Sequence, residues 1–391
     1  MTPKIIHSLS EISELCGDIY IYGKGLGGET IFHVLPYDIR SRVVGFLDTY
    51  ASGEYLGLPV YRSEQFLPTI PSDSIIILAS VFEEQILNTI SIFGAPTLTV
   101  LKMWDFIEAG AYCYGEDESS SAKDKCRNIV ERLEDTASKK LYQKLFNTRI
   151  RGDLGDRAYN LKADQEFRTH FLDKIGGEEY LALVGAGIYL DYLVLENIET
   201  VIEGGLYDGY NTHQFVPVIG PKGKIYSFEP NYDELASGLA HDPRKGMYLK
   251  YLSKHPCVEI IAKGLMDTER EVRFGGNGQA DMQRVIETGG RVVQVTSVDQ
   301  FTRERNLDRV DLIKLDIEGA EPDCLKGAEQ TLLTLRPQLA ISIYHTKEQF
   351  LDIPYDLMER LDNYAFYLGH YCALPRYDTV LYAVPRELLS T

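Results

Sequence analysis

Three shortages narrow the reading of this 391-residue chain. It has no run of about 18 consecutive apolar residues, the length a membrane-spanning helix needs, so no integral membrane segment is expected. Its six cysteines, Cys16, Cys113, Cys126, Cys257, Cys324 and Cys372, are scattered and form no C-x-x-C pair. That argues against a zinc site and a disulfide framework, and leaves single thiols in a reducing, cytoplasmic setting. Basic residues are few: 40 Lys and Arg stand against 58 Asp and Glu, a formal net charge of −18. A field of that sign repels phosphate backbones and anionic lipid surfaces, so nucleic acid is not an expected partner. The first residues, Met1 to His7, lead straight into an acidic amphipathic segment and do not read as a signal peptide. No short-period repeat occurs. With 44% hydrophobic and 25% charged residues, the chain reads as an ordinary globular protein long enough for two or three domains.

What is present concentrates in three stretches. The first is Ile313 to Glu321, I-K-L-D-I-E-G-A-E, where an apolar strand from Val310 to Ile317 carries a lysine and acids at its carboxyl end. Strand alternation places Lys314, Asp316 and Glu318 on one face and Ile313, Leu315 and Ile317 on the other. Charges in a buried parallel strand are costly unless paired or used, so the cluster is either a structural ion pair or part of a site. The second stretch, Val201 to Thr212, is an apolar strand ending at Glu203 and entering a turn with Gly204, Gly205, Tyr207 and Gly209. A helix follows, with Asn211 or Thr212 in its first turn. The third, Lys224 to Asn231, is a strand ending in Glu229-Pro230, twenty residues after Gly209. At that spacing an acid on the second strand of a doubly wound sheet accepts two ribose hydroxyls.

Segments 201–215, 226–231 and 310–345 together resemble the FkbM family of S-adenosylmethionine-dependent methyltransferases, and the resemblance covers roughly residues 180–385. The matches are Gly204, Gly209 and Thr212, then Phe228-Glu229-Pro230, then Lys314, Asp316, Glu318, Gly319 and Glu321, then Tyr344-His345. Glu203 stands where the family carries Asp, and Gly205 where it carries Ala. The resemblance implies a class I methyltransferase fold and S-adenosylmethionine as cofactor. The 203–212 turn would face the cofactor's methionine and ribose, and Glu203 the methionine amino group. Glu229 would hold the ribose. Gly264, Leu265 and Met266 would border the adenine, and Asp267 would accept from its exocyclic amine, or else be an ordinary turn residue.

Upstream, residues 4–108 read as a first α/β unit: strands Ile19 to Tyr22, Val43 to Asp48, Gly57 to Val60, Ile75 to Ala79 and Thr97 to Leu101. Gly23, Gly25 and Gly28 fit G-x-G-x-x-G and Asp48 follows Gly28 by twenty residues, so a second nucleotide site is conceivable there. The alternative is a tight turn over an empty pocket. The pattern is similar to the nucleotide-binding domain of sugar-modifying acyltransferases. Residues 115–125 are polar and read as a linker or exposed loop. Ile129, Leu133, Ala137, Leu141 and Leu145 then recur every four residues, which predicts one amphipathic helix. The expected organisation is 1–112, a Rossmann-like nucleotide-binding-type domain, 113–180, a linker and helical segment, and 181–391, the methyltransferase domain. The fold class is α/β, two Rossmann-like doubly wound sheets joined by a helical segment.

Methyl transfer to oxygen needs alignment and removal of a proton. Asp316 is the candidate general base or metal ligand, His345 a second base with an ordinary pKa suited to neutral pH, and Lys314 the neutralising cation. Asp316, Glu318 and Glu321 together offer oxygens to Mg²⁺ or another divalent cation. The expected acceptor is a hydroxyl of a sugar, surface glycan or nucleotide-linked sugar. A cluster of Tyr364, Tyr367, Tyr371 and Tyr377 serves either sugar stacking or, by preference, a core or homo-oligomer contact. Two other readings stay open: a nucleotide-sugar oxidoreductase run from the first glycine turn, and a non-catalytic scaffold. The lack of a usable Tyr-x-x-x-Lys pair counts against the former.

Overall fold

The computed structural model describes residues 4–6, 12, 15–24, 28–29, 31–32, 35, 37–79, 83–93, 99–102, 114, 116–151, 188–220, 222–239, 245–275, 284–286, 290–371 and 377–389. The chain divides into two compact units, Met1–Ala111 and Tyr112–Thr391.

The first unit contains β1 (Lys4–Ile6), β2 (Ile19–Tyr22), β3 (Val43–Asp48), β4 (Gly53–Tyr55), β5 (Leu58–Arg62), β6 (Ile75–Leu78) and β7 (Thr99–Lys102). Their order is β1-β7-β6-β2-β3-β5-β4. All pairs are parallel except the β4–β5 hairpin. Every residue of β2 and β6 is buried, as central strands covered on both faces require, which is why they read as unbroken apolar runs. The hairpin turns on Leu56 and Gly57, both at positive φ (52° and 77°), the handedness that suits a two-residue loop. Strand order reverses between β2 and β6, the switch point of a doubly wound sheet.

The second unit contains β8 (Thr200–Gly204), β9 (Lys224–Phe228), β10 (Val258–Ile261), β11 (Gly264–Leu265), β12 (Arg270–Gly275), β13 (Arg284–Val285), β14 (Arg291–Thr296), β15 (Leu312–Leu315), β16 (Gln338–Ser342), β17 (Tyr364–His370) and β18 (Thr379–Pro385). Seven form a sheet of order β10-β9-β8-β15-β16-β18-β17, with β18 antiparallel to both neighbours. The switch point lies between β8 and β15, and the carboxyl ends of β8, β9 and β15 meet there. β11 to β14 make a separate four-stranded sheet of order β11-β14-β12-β13. The strand expected over Val310 to Ile317 is shorter than predicted. It ends at Leu315, and Glu318 sits in the following turn at φ 54°, so the predicted alternation stops at Asp316.

The expected single helix through 129–145 is two helices, Glu116–Arg132 and Thr136–Arg151. The break falls at Leu133, which bridges to Phe366, and at Asp135, whose carboxylate accepts from the Ser138 N–H (2.6 Å) and hydroxyl (3.0 Å). Residues 116–125, read as linker because they are polar, are the outer turns of the first helix. Among its described side chains, Ala122, Cys126 and Ile129 form a buried apolar stripe. Both helices belong to the second unit. Lys125 pairs with Asp352 at 2.6 Å, and Tyr142 stacks on Phe350 at 4.6 Å with its hydroxyl donating to the Phe350 carbonyl. Among the described residues no helix is long and apolar enough to cross a membrane.

Candidate active site

The glycine turn after β8 is backbone-determined. Gly205 has φ 86°, and a Cβ there would lie 1.9 Å from the Asp316 carbonyl oxygen. Gly209, at φ 80°, precedes the helix Tyr210–Phe215, and a Cβ would press to 2.6 Å on Leu252. Gly204 is buried with Ile317 at 2.9 Å from its ideal Cβ. No other residue type fits these positions without moving the chain.

Beneath the turn sits a buried ion pair. Glu203 is fully buried: Oε2 accepts from the Thr212 and Ser227 hydroxyls, each at 2.6 Å, and Oε1 lies 3.3 Å from Lys314 Nζ. Lys314 Nζ donates to the Gly205 carbonyl at 2.7 Å and lies 4.9 Å over the Tyr189 ring. Register explains the pairing, since Lys314 stands opposite Glu203 across β15 and β8.

Above the turn opens a cleft. Gly205, Leu206, Tyr207, Asp208 and Asn211 form one wall; Phe228, Glu229 and Pro230 form the next. Gly264, Leu265 and Met266 continue it, and the small sheet adds Phe274, Val285, Val293 and Val295. Asp316, Ile317, Glu318 and Ala320 close the far side. Glu229 accepts from the Asn231 N–H at 2.9 Å and the Tyr207 N–H at 3.3 Å. Burial outweighs these bonds and pushes its carboxyl above the usual range.

Asp316 is held at both oxygens. Oδ2 accepts from the Tyr189 hydroxyl at 2.8 Å, and Oδ1 from Tyr344 at 3.1 Å with His345 Nε2 at 3.4 Å. Burial would raise this carboxyl, but Lys314, His345 and the Tyr189 hydroxyl hold it below the usual range. His345 faces Glu321 at 3.1 Å through Nδ1 and Glu318 at 3.7 Å through Nε2. Burial disfavours its charge, yet Glu321 and Glu318 prevail and keep the imidazole protonated well above its ordinary pKa.

Residues 203–368 match the methyltransferase FkbM domain. The second unit carries an FkbM-type methyltransferase domain. A stretch of 146 residues, 35% of the chain, is 25% identical to the 2-O-methyltransferase NoeI of Sinorhizobium fredii (strain NBRC 101917 / NGR234) and spans 60% of that relative's length. The methyltransferase FkbM of Methylobacillus flagellatus KT has a similar structure, with a TM-score of 0.63 at 19% identity over 96% of this chain and 92% of that one. At that identity the likeness shows the fold, a class I methyltransferase sheet in the second unit.

Within the FkbM domain the structure revises several expected roles. Glu203, Thr212 and Lys314 do not line the cleft; they are spent on one another and on the turn's carbonyls, so Lys314 positions the turn rather than touching a reactant. Gly204 forms the floor. Asp267 is turned to a salt bridge with Arg270, which lowers its carboxyl pKa, and is no part of the cleft. His345 lies between Glu321 and Glu318, whose charges raise its pKa and favour the imidazolium over the free base. Glu321 of the predicted metal set is fully buried and already accepts from the Ile317 and Gly319 N–H groups and from Gln349. Asp316, Glu321 and His345 do come together, but the imidazolium supplies the positive charge that a divalent cation was invoked to provide. Glu229, Gly205, Tyr207, Pro230, Gly264, Leu265 and Asp316 do meet at the cleft, whereas Gly209 packs toward Leu252 and Leu249.

Motif reading did not single out Asp208 and Asn211 within the 203–212 turn as lining residues, and it missed the apolar wall of Phe274, Val285 and Val293, which sits in no motif. It also missed Tyr189 and Asp378. Burial beside Asp316 pushes the Asp378 carboxyl up to about 6.

In the first unit, Gly23 has φ 117° and Gly28 is pressed against the Gly23 carbonyl, 1.9 Å from an ideal Cβ. Gly25 lies outside the described residues. Asp48 spends one oxygen on its own loop, accepting from the Tyr50 and Ala51 N–H groups at 2.9 Å each.

Proposed function

We propose that the protein transfers the methyl group of S-adenosylmethionine to a hydroxyl oxygen of a carbohydrate. The observation carrying this reading is the cleft itself: a glycine turn whose Tyr207 N–H reaches Glu229 on one side, and an ionised Asp316 on the other. The lining fits the cofactor. Backbone at positive φ admits close approach by a polar ligand, Glu229 offers carboxylate oxygens for ribose hydroxyls, and Met266, Phe274 and Val293 offer an apolar face for a purine.

S-adenosylmethionine, when bound, supplies an electrophilic methyl group on a sulfonium. The chain's own residues do the rest. Asp316, unprotonated and with both oxygens oriented, accepts a hydrogen bond from the acceptor hydroxyl and takes up its proton as the C–O bond forms. The protonated His345, 3.4 Å away, keeps that carboxylate ionised in a partly buried place. Glu203 and Lys314 keep the turn in shape beneath. An oxygen acceptor is supported by the likeness to a 2-O-methyltransferase. The carbohydrate class is supported by the first unit, a doubly wound sheet, the architecture that holds nucleotides at its switch point.

Calorimetric titration with S-adenosylmethionine tests the cofactor, followed by methyl-label transfer to a panel of glycans and nucleotide sugars. Micromolar cofactor binding and labelled sugar are expected. No binding of S-adenosylmethionine would overturn the reading, and label transfer only to non-carbohydrate hydroxyls would overturn the acceptor class.

A further inference from the structure

Asp316 sits on a turn rather than within a strand, and its side chain is partly open to the cleft. A carboxylate there with one oxygen unheld would sample several rotamers, and only some would meet an acceptor hydroxyl. We propose that Tyr189 is the positioning residue that fixes this carboxylate. It does so from outside residues 203–368, the span that matches the family domain. The inference rests on the reading of Asp316 as the group that receives the acceptor proton.

Four observations converge on Tyr189. Its hydroxyl donates to Asp316 Oδ2 at 2.8 Å and also meets Ser342 Oγ at 3.1 Å, so the hydroxyl has two defined polar partners deep in the protein. Its ring carries Lys314 Nζ at 4.9 Å, so one side chain touches both the buried cation and the candidate base. Its backbone is in the left-handed region at φ 68°, a conformation disfavoured for a bulky residue that persists only where the surroundings impose it. The surroundings do so through a chain of hydroxyls. The Tyr189 N–H donates to Tyr382 Oη at 2.9 Å, Tyr382 Oη meets Tyr371 Oη at 2.5 Å, and Tyr371 donates to Asp191 Oδ2 at 3.1 Å. Since the Tyr371 proton goes to Asp191, Tyr382 donates to Tyr371 and stays free to accept from Tyr189. The order of donors is therefore determinate from Asp191 to the Tyr189 backbone.

A tyrosine kept only to fill space would be replaceable by phenylalanine with no effect on Asp316. The geometry predicts otherwise, because removing the hydroxyl leaves Oδ2 with one donor fewer in a buried setting and lets the carboxylate turn.

The test uses full-length wild type and Tyr189→Phe, with aspartate labelled by ¹³C at the side-chain carboxyl. The Asp316 resonance is identified by its loss in Asp316→Asn, and its titration is followed by NMR. In the wild type the midpoint lies below the usual carboxylate range. Tyr189→Phe is expected to raise it by about one pH unit, the scale of one lost hydrogen bond to an ionised group, while S-adenosylmethionine affinity stays within about twofold. With an acceptor found in the panel above, kcat is expected to fall about tenfold or more at unchanged KM for the cofactor. An unmoved midpoint in a folded Tyr189→Phe protein overturns the proposal, and so does an unchanged kcat. If Tyr189→Phe does not fold, 3,5-difluorotyrosine at position 189 keeps the volume and strengthens the donor. The midpoint must then move down, and a stationary one overturns the proposal. Failure of the wild type to bind S-adenosylmethionine would instead defeat the function reading, and the NMR titration would still decide whether Tyr189 holds Asp316.

Discussion

The chain contains two glycine turns at the same place in two doubly wound sheets, and they differ in what surrounds them. Both follow a central strand of their sheet, β2 or β8, and both have an acid at the end of the neighbouring parallel strand. In the first unit that acid, Asp48, folds back on its own loop, and the strand on the other side, β6, ends in Ile-Leu-Ala without a charge. In the second unit Glu229 reaches across to the turn, a buried Glu203–Lys314 pair supports it from below, and β15 delivers Asp316. The difference teaches that a glycine turn marks a permitted approach of backbone to ligand, whereas a site needs charge delivered by the next strand over. Buried charge is expensive, and a protein keeps it where it is paired or used.

The comparison can be broken most severely at Lys314. Lys314→Met would strand Glu203 without its partner, and loss of one member of a buried pair costs about 3–5 kcal/mol. A large fall in thermal midpoint is expected, partly restored in the double variant Glu203→Gln with Lys314→Met; a single variant as stable as wild type would show the pair to be idle.

Next in size is the contrast between the two strand-end acids. Glu229→Ala is expected to weaken S-adenosylmethionine about 100-fold or more, near 3 kcal/mol, whereas Asp48→Ala should leave that affinity unchanged. Equal losses in calorimetry would erase the distinction drawn between the turns.

Glycine itself can be separated into site and scaffold. Gly205→Ala must displace the Asp316 carbonyl from 1.9 Å and should cost more than 2 kcal/mol, while Gly57→Ala, with φ 77° but nothing near its Cβ, should cost about 1 kcal/mol. Denaturant unfolding of the two variants decides.

The smallest effect concerns pH. The Asp378 carboxyl is raised to about 6, so the folded state prefers it protonated. Its contribution is therefore intact below the unfolded pKa, near 4, and is lost as pH rises through about 6. Asp378→Asn should stabilise the protein at pH 7.5 and do nothing at pH 4; no difference between the two pH values would refute the assignment. His345 works in the same sense at higher pH. Its raised pKa contributes stability at neutral pH that is lost on going to alkaline conditions.

Much of this was present in local patterns. Strands Ile19–Tyr22 and Val43–Asp48 coincide with the apolar runs that predicted them, because a strand buried on both faces must be apolar throughout. Glu229 was legible from its distance to Gly209, since that distance is the length of one helix and one strand. The helix at Glu116–Arg132 was misread because a single buried stripe leaves most positions polar, and a window of polar residues looks like a linker.

Sequence alone determined the doubly wound fold, the glycine turn, and the identity of Glu229 and Asp316, because each depends on contacts within one strand–turn–helix unit. Tertiary structure decided the electrostatics. Glu203 and Lys314 became a support rather than ligands once register set them opposite each other. The pKa of His345 is raised because carboxylates converge on it in the fold. Tyr189 joined the site across 127 residues of sequence. A pKa and a partner depend on everything within a few ångströms, and only the folded chain specifies what that is.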